Sequence, residues 1–235
     1  MGEPKNPFTI NENSPESIRE KMKNPGFLPS RAQILEAFKL EGTNHFDRGE
    51  WGEFLDGPYR NHYEILTEDF IRALGDYIGK RIFDLGKQKG NQPIIILETG
   101  AGNGRLSHFL KNQLLKKVGL NFKIIASDSG TWKIKPDFPV EEIDVEQALR
   151  KYNPDIVVSS WETHSSHDWT KYYEENQNVK EYVLIEIPRE HSSSRKFSMT
   201  HLEDIEEKQI CRHDGDIDKP HFVSESKTMS FKREE

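Results

Sequence analysis

The chain has 235 residues, 33 Lys and Arg against 40 Asp and Glu, a net charge of −7 and 34% hydrophobic residues. That length suits one large domain or one domain with an N-terminal extension; no run approaches the roughly 18 apolar residues of a membrane span, and the single cysteine, Cys211, makes no internal disulfide. The acidic balance argues against bulk nucleic acid, whose phosphates need clustered Lys and Arg; no Cys/His spacing predicts a metal site, no basic-then-apolar leader opens the chain, and a cytoplasmic protein is expected.

Residues 1–29, rich in Asn, Pro, Glu and Lys without an apolar period, read as a flexible arm with at most a turn of helix. From residue 30 to 235 a single domain is expected, its first part, to about residue 92, being a helical extension. Ser30 caps a helix through Ala32, Ile34, Leu35 and Phe38 that Gly42 stops, and an aromatic, turn-rich stretch runs from Asn44 to Tyr63. Thr67 opens an amphipathic helix with Phe70, Ile71, Leu74, Tyr77, Ile78 and Ile82 on one stripe.

Beyond the breaker GKQKGNQP the pattern changes. Ile94 to Leu97 is a continuous aliphatic run of the kind strands buried on both faces carry. A glycine-rich turn leads into a helix with Leu106, Phe109, Leu110 and Leu114 on one side. Phe122 to Ala126 reads as the second strand, a short third ends near Ile143, Val145 to Tyr152 is helical, and Asp155–Ser159 and Tyr182–Ile187 are strands four and five. This alternation predicts an α/β, Rossmann-like, doubly wound and mostly parallel sheet with helices on both faces. Late segments, Lys208–Arg212 and Lys227–Lys232, are expected to add antiparallel edge strands.

The informative stretch is Glu98-Thr99-Gly100-Ala101-Gly102-Asn103-Gly104-Arg105. A turn from a parallel strand into a helix needs residues without Cβ where the backbone bends and where a ligand approaches, and the helix aims its first N–H groups at whatever lies over the turn. In the dinucleotide spacing G-x-G-x-x-G the third glycine would fall on Arg105. The carboxylate of Glu98 at the strand tip is poorly placed for a pyrophosphate and well placed for a cation. Asp128, ending the second strand with Ser129 beside it, suits the two hydroxyls of a ribose, which nicotinamide dinucleotides and S-adenosylmethionine share.

The order Glu98, Asp128, Asp144 at three strand ends, with the G-x-G-x-G spacing, resembles the first motifs of class I S-adenosylmethionine-dependent methyltransferases. The resemblance implies that the backbone of Gly100, Ala101, Gly102 and Gly104 wraps the methionine end of S-adenosyl-L-methionine and that Glu98 faces its ammonium group. It also implies that Asp144 receives the adenine amino group, with Val145 on the ring or donating its N–H. Each feature has a structural alternative: a tight strand-to-helix connection for the glycines, a loop or cap residue for Asp128, and a helix N-cap for Asp144.

Over about residues 55 to 233 the chain looks like a group of little-characterised eukaryotic methyltransferase-like proteins, through Asp128-Ser129-Gly130-Thr131-Trp132, Asp168-Trp169-Thr170 and the fourth, fifth and closing strands. Members of that group tend to carry a Trp-Met-Pro-type run after the fourth strand; this chain has Trp161-Glu162-Thr163-His164. That departure falls where acceptor chemistry sits.

Residues beyond strands four and five line the acceptor side. Glu162, His164 and His167 are the candidate bases, Trp161 a candidate cofactor contact, and Glu186, Arg189 and His191 stand opposite; a loop of His, Ser and Asp is more often simply solvated, which is the alternative for each. Arg60 and Tyr63 either close over the cofactor, Arg60 on its carboxylate, or belong to a satellite core. The Asn-Pro-Pro-Tyr tetrapeptide of many amino-methyltransferases is absent, and no cysteine stands ready for a thiolate adduct. The expected function is methyl transfer to a small molecule or protein side chain, without bulk nucleic acid or membrane. A non-catalytic module of the same fold with a protein partner and, behind it, a nicotinamide-dependent oxidoreductase are the competing readings.

Overall fold

The computed structural model describes residues 13–38, 64–118, 121–160, 169–186, 196–210 and 226–234. The aliphatic runs become the parallel strands β1 (Ile94–Thr99), β2 (Phe122–Asp128), β3 (Glu141–Glu142), β4 (Ile156–Ser160) and β5 (Glu181–Glu186). Two strands, β6 (Phe197–His201) and β7 (Lys227–Arg233), run antiparallel, giving one seven-stranded sheet in the order β3-β2-β1-β4-β5-β7-β6. This is the mostly parallel Rossmann-like sheet with antiparallel edge strands that the alternation predicts.

Helices cover both faces. On one, α3 (Glu68–Lys89) and α4 (Arg105–Val118) bury Phe70, Leu74, Ile78, Leu106, Leu110 and Leu114 against Ile94, Ile96, Ile156, Val158, Val183 and Ile185. On the other, α5 (Val145–Tyr152) and α6 (Thr170–Glu175) bury Ala148, Leu149 and Tyr173 against Leu97, Val157, Tyr182 and Leu184. Alternate residues of β1, β4 and β5 thus serve opposite cores, which is why these strands are aliphatic at nearly every position. Each such side chain contributes about 1.5–3 kcal/mol by leaving water. No helix among the described residues is long and apolar enough to cross a membrane.

The connections locate the functional end. From β1 the chain winds outward through β2 and β3, then returns to the other side of β1 as β4, so neighbouring loops diverge between β1 and β4. In open α/β sheets ligands bind at such a switch point, beyond the carboxyl ends of the strands. Thr99 and Ser159, paired in register, stand there.

Three expectations change. The arm expected over residues 1–29 is, from residue 13 on, packed structure: Ser14 caps α1 (Pro15–Met22), whose Ile18 and Met22 are buried against Ile34 of α2 (Arg31–Ala37), Phe38, Ile65 and Ile210. Two apolar residues one turn apart are a weak signal by themselves, and their partners lie far along the chain. The second helix ends at Ala37 with Phe38 as C-cap, before Gly42. No strand forms at Lys208–Ile210, the described part of the expected Lys208–Arg212 strand; Gln209 and Ile210 are buried there without sheet pairing, after the short helix α7 (Glu203–Glu206), and the edge strand is β6 instead. β6 escapes detection because, as an outer strand, it buries only Phe197 of its five residues.

Candidate functional site

The turn after β1 is built by backbone geometry that favours glycine. Gly100, Gly102 and Gly104 have φ of 65°, 54° and 80°, a region that side chains strain to enter. At Gly104 a Cβ would also lie 2.7 Å from Val140 Cγ2. The turn is pinned to β2 by the Ala101 N–H, which donates to the Ser127 carbonyl at 2.9 Å, and by the Ser127 hydroxyl, which donates to the Glu98 carbonyl at 3.0 Å.

Glu98 ends up 3% exposed, and its Oε2 accepts the backbone N–H of Ser107 at 2.9 Å. Ser107 is the third residue of α4, so the carboxylate of a neighbouring strand satisfies one of the orphan N–H groups at that helix start and sits on its positive end. Burial still dominates: it pushes the Glu98 carboxyl up to about 7, partly offset by the hydrogen bonding to Ser107 and reinforced by the negative charge of Asp128.

Asp128 is half-buried at the end of β2, with Oδ2 accepting the Gly102 N–H at 2.9 Å and Oδ1 the Gly130 N–H at 2.8 Å. The same carboxylate therefore holds the glycine turn and the loop that follows β2. An ionised carboxylate offers about four lone-pair positions, so two remain for hydroxyl donors. Ser129 is exposed and its hydroxyl pairs with that of Thr131 at 2.8 Å. Asp144 is the N-cap of α5, accepting the Gln147 N–H at 2.8 Å; it is exposed, with Val145 half-buried after it. The N-cap alternative for Asp144 is thus realised, and its carboxylate remains at the surface.

Glu98 and Asp128 form no ion pair among the described residues, whereas acids at the opposite end of the sheet do. Arg105, which stands where the dinucleotide spacing would place its third glycine, is 3% exposed; its Nη2 donates to the Phe27 carbonyl at 3.0 Å and its guanidinium lies 5.5 Å from the Phe109 ring centre. Its side chain thus engages the N-terminal segment. Among the described residues no group of three or more His, Cys, Asp or Glu is arranged to hold a metal ion.

The structure brings together Glu98, Gly100, Ala101, Gly102, Gly104 and Asp128 at one turn, with Ser129 just after β2 and with Asp144 and Val145 at the start of α5. Arg60, Tyr63, Trp161, Glu162, His164 and His167 lie outside the described residues, as do Arg189 and His191. Of the acceptor-side candidates Glu186 is described: it closes β5 and is 2% exposed.

Sequence reasoning missed the covers of the turn. A Cβ on Gly102 would meet Ile134 Cδ1 at 3.6 Å, and one on Gly100 would lie 3.1 Å from Trp169 Cζ3. The segment carrying Ile134 folds back on the turn: the Asn103 carbonyl accepts N–H groups from Asp137 and Phe138, both at 3.1 Å, and Phe138 stacks on His108 with ring centres 3.9 Å apart. Ile134 shares its segment with Trp132, Phe138 and Val140, and Trp169 opens α6; which of these apolar residues covers the turn is decided by tertiary packing.

No family model matches the chain, and no curated protein matches it. Solved structures similar to it include several named as methyltransferases. They include the 23S rRNA methyltransferase ErmE, 14% identical over 66% of this chain and 68% of that one with a TM-score of 0.36. Another is the magnesium protoporphyrin IX methyltransferase ChlM from Synechocystis PCC 6803 with bound SAM, at 11% identity over 71% and 83% and a TM-score of 0.36. A third is the SAH-bound Podospora anserina methyltransferase PaMTH1, at 7% identity over 80% and 97% and a TM-score of 0.38.

Proposed function

We propose that the chain is an S-adenosylmethionine-dependent methyltransferase that acts in the cytoplasm on a small molecule or a protein side chain. One observation carries this reading: the carboxylate of Glu98 occupies the N-terminal end of α4, the place where a dinucleotide fold seats its pyrophosphate. The acid already there, ionised above about pH 7, repels phosphate and attracts a cation. With Asp128 on the next strand and no ion-paired cation on either acid among the described residues, the turn suits a ligand that carries positive charge beside a ribose.

The residues present fit that cofactor. Glu98 would hold its ammonium group, the backbone from Gly100 to Gly104 its amino-acid end, the free lone pairs of Asp128 the ribose hydroxyls, and Asp144 with Val145 the adenine. When bound, the cofactor supplies a methyl group on a sulfonium sulfur. The chain then has to orient an acceptor in line with it and, for an oxygen or nitrogen acceptor, take up a proton. Glu162, His164 and His167 are proposed for the proton, in the segment between Ser160 at the end of β4 and Trp169 beside Gly100. Trp161, Arg60, Tyr63 and Ser129 are proposed as further cofactor contacts.

The fold does not choose the acceptor, since similar structures bear names as different as rRNA and porphyrin methyltransferases. The preference for a small molecule or protein rests on the net charge of −7, which makes long polyanions unfavourable; a structured RNA held by a few residues is the outcome that would correct it.

Isothermal titration with S-adenosylmethionine and S-adenosylhomocysteine tests the cofactor. Binding is expected in the wild type, with loss of detectable binding in Asp128→Ala and in Gly102→Val, whose φ of 54° strains a β-branched residue. Absence of binding to either compound sinks the proposal, and saturable quenching of NADH fluorescence would install the oxidoreductase reading. Cofactor binding with no methyl transfer to any acceptor, and a stable protein partner on pull-down, would instead identify a non-catalytic module.

A further inference from the structure

The first glycine of the turn has an aromatic neighbour that its sequence position does not announce. A Cβ built on Gly100 would lie 3.1 Å from Cζ3 and 3.5 Å from Cη2 of Trp169. The six-membered edge of the indole therefore stands against the backbone where β1 ends, in the space a side chain would fill. Trp169 is half-buried, packed on one side against the core between α5, α6 and the sheet.

Two further contacts fix it there. Its carbonyl accepts the N–H groups of Tyr172 at 2.9 Å and Tyr173 at 3.3 Å, so it belongs to the first turn of α6. Tyr173, fully buried, shares a 2.7 Å hydrogen bond between its hydroxyl and Thr99 Oγ1, which ties that helix to the residue just before Gly100. Opposite Thr99 in register, Ser159 is 2% exposed, and its hydroxyl has no hydrogen-bond partner among the described residues. A buried hydroxyl left this way is uncommon and asks for an explanation.

Resting on the methyltransferase reading, we infer that Trp169 is a specificity-determining residue: it walls the crevice at Gly100 and contacts the amino-acid end of the bound ligand, with Tyr173 and Thr99 as the positioning pair that holds it. The physical reason is steric: the indole edge fills the space beside Gly100 that a side chain would take, and so sets how closely the amino-acid end of a ligand can approach the turn. Ser159 supplies a hydroxyl on the same side of the sheet for a polar group of that ligand.

Titration calorimetry on the full chain, with S-adenosylmethionine, S-adenosylhomocysteine and 5′-methylthioadenosine, tests this. The last keeps the adenosine and sulfur and lacks the amino-acid end. Trp169→Leu is expected to weaken S-adenosylmethionine and S-adenosylhomocysteine, which share the amino-acid end, each about tenfold, and 5′-methylthioadenosine by under about twofold. Trp169→Phe should regain most of the loss. Tyr173→Phe should weaken S-adenosylmethionine about threefold while 5′-methylthioadenosine stays unchanged. If Trp169→Leu binds S-adenosylmethionine like the wild type, or weakens all three compounds equally, the inference is overturned and the methyltransferase reading stands. A wild type that binds none of the three overturns both.

Discussion

Two buried glutamates at opposite ends of the same sheet are treated differently by the fold. Glu181, at the amino end of β5, is fully buried and receives the Arg81 guanidinium at 2.5 Å, the Tyr77 hydroxyl at 2.5 Å and the Ser230 hydroxyl at 2.6 Å. Nearby Asp155 pairs with Lys89 and the Ile95 N–H, both at 2.7 Å. Glu98, at the carboxyl end of β1, has one backbone N–H and no ion pair among the described residues, and its carboxyl is pushed up to about 7. At the amino end, burial of charge is compensated on the spot; at the carboxyl end the compensation is left incomplete. In the methyltransferase reading proposed above, the uncompensated acid is the one left for a ligand, while the compensated one at the sheet's other end is a fastening between α3, β5 and β7.

The sharpest way to break this contrast is to strip the fastening. Arg81→Met leaves Glu181 buried beside two hydroxyls with no cation, and removing one partner of a buried pair costs about 3–5 kcal/mol. Urea denaturation should register that loss, with cofactor affinity in the folded protein unchanged; a loss of affinity without loss of stability would erase the division of labour.

Glu98→Gln should act in the opposite sense. Because the folded-state value is raised to about 7 from an ordinary 4.5, the native chain holds a proton that the unfolded chain has released. Stability is therefore fully present below about pH 4.5, falls as pH rises, and levels off above about pH 7. Glutamine keeps an acceptor for the Ser107 N–H and carries no charge. At pH 8 the variant is expected to be more stable than the wild type by up to about 3 kcal/mol, and at pH 4 equal to it, by denaturation at the two pH values. Its affinity for S-adenosylmethionine should fall. A variant no more stable at pH 8 would show that Glu98 is compensated after all.

Smaller effects mark the rest of the site. Asp128→Asn keeps one carbonyl acceptor for the two amides of Gly102 and Gly130 and is expected to lose about 1–2 kcal/mol of stability, read from the urea midpoint, together with most ribose-dependent affinity. Asp144→Ala removes the cap of α5, for about 1 kcal/mol; the melting temperature should shift by only a few degrees. A much larger loss of affinity than of stability in Asp144→Ala would assign that carboxylate to the adenine.

Much of this was legible before the structure. The strand ends carrying Glu98 and Asp128 were readable because the aliphatic runs of β1 and β2 leave a strong local signal, whereas Asp144, after the two-residue β3, was readable as the cap of the helix that follows it. The packing of α1 was not, because Ile18 and Met22 acquire meaning only from Ile34, Ile65 and Ile210. The edge strand β6 was hidden by its exposure, with Met199 half in solvent at 51%. Arg105 was read as a departure from the dinucleotide spacing, and its reach to Phe27 depends on where the N-terminal segment docks.

The sequence by itself determined the alternating elements, the glycine turn, the acids Glu98 and Asp128 at strand ends and Asp144 as a helix cap, since periodicity and the steric needs of a sharp turn are local properties of the chain. Tertiary structure alone decided that Glu98 sits on the α4 terminus, that Asp128 clasps two loops, and that Trp169 stands against Gly100. Those facts join residues 9, 26 and 69 positions apart; the middle pairing forms across the β1–β2 connection and the last only after β4 has returned beside β1, so no local pattern could have announced them.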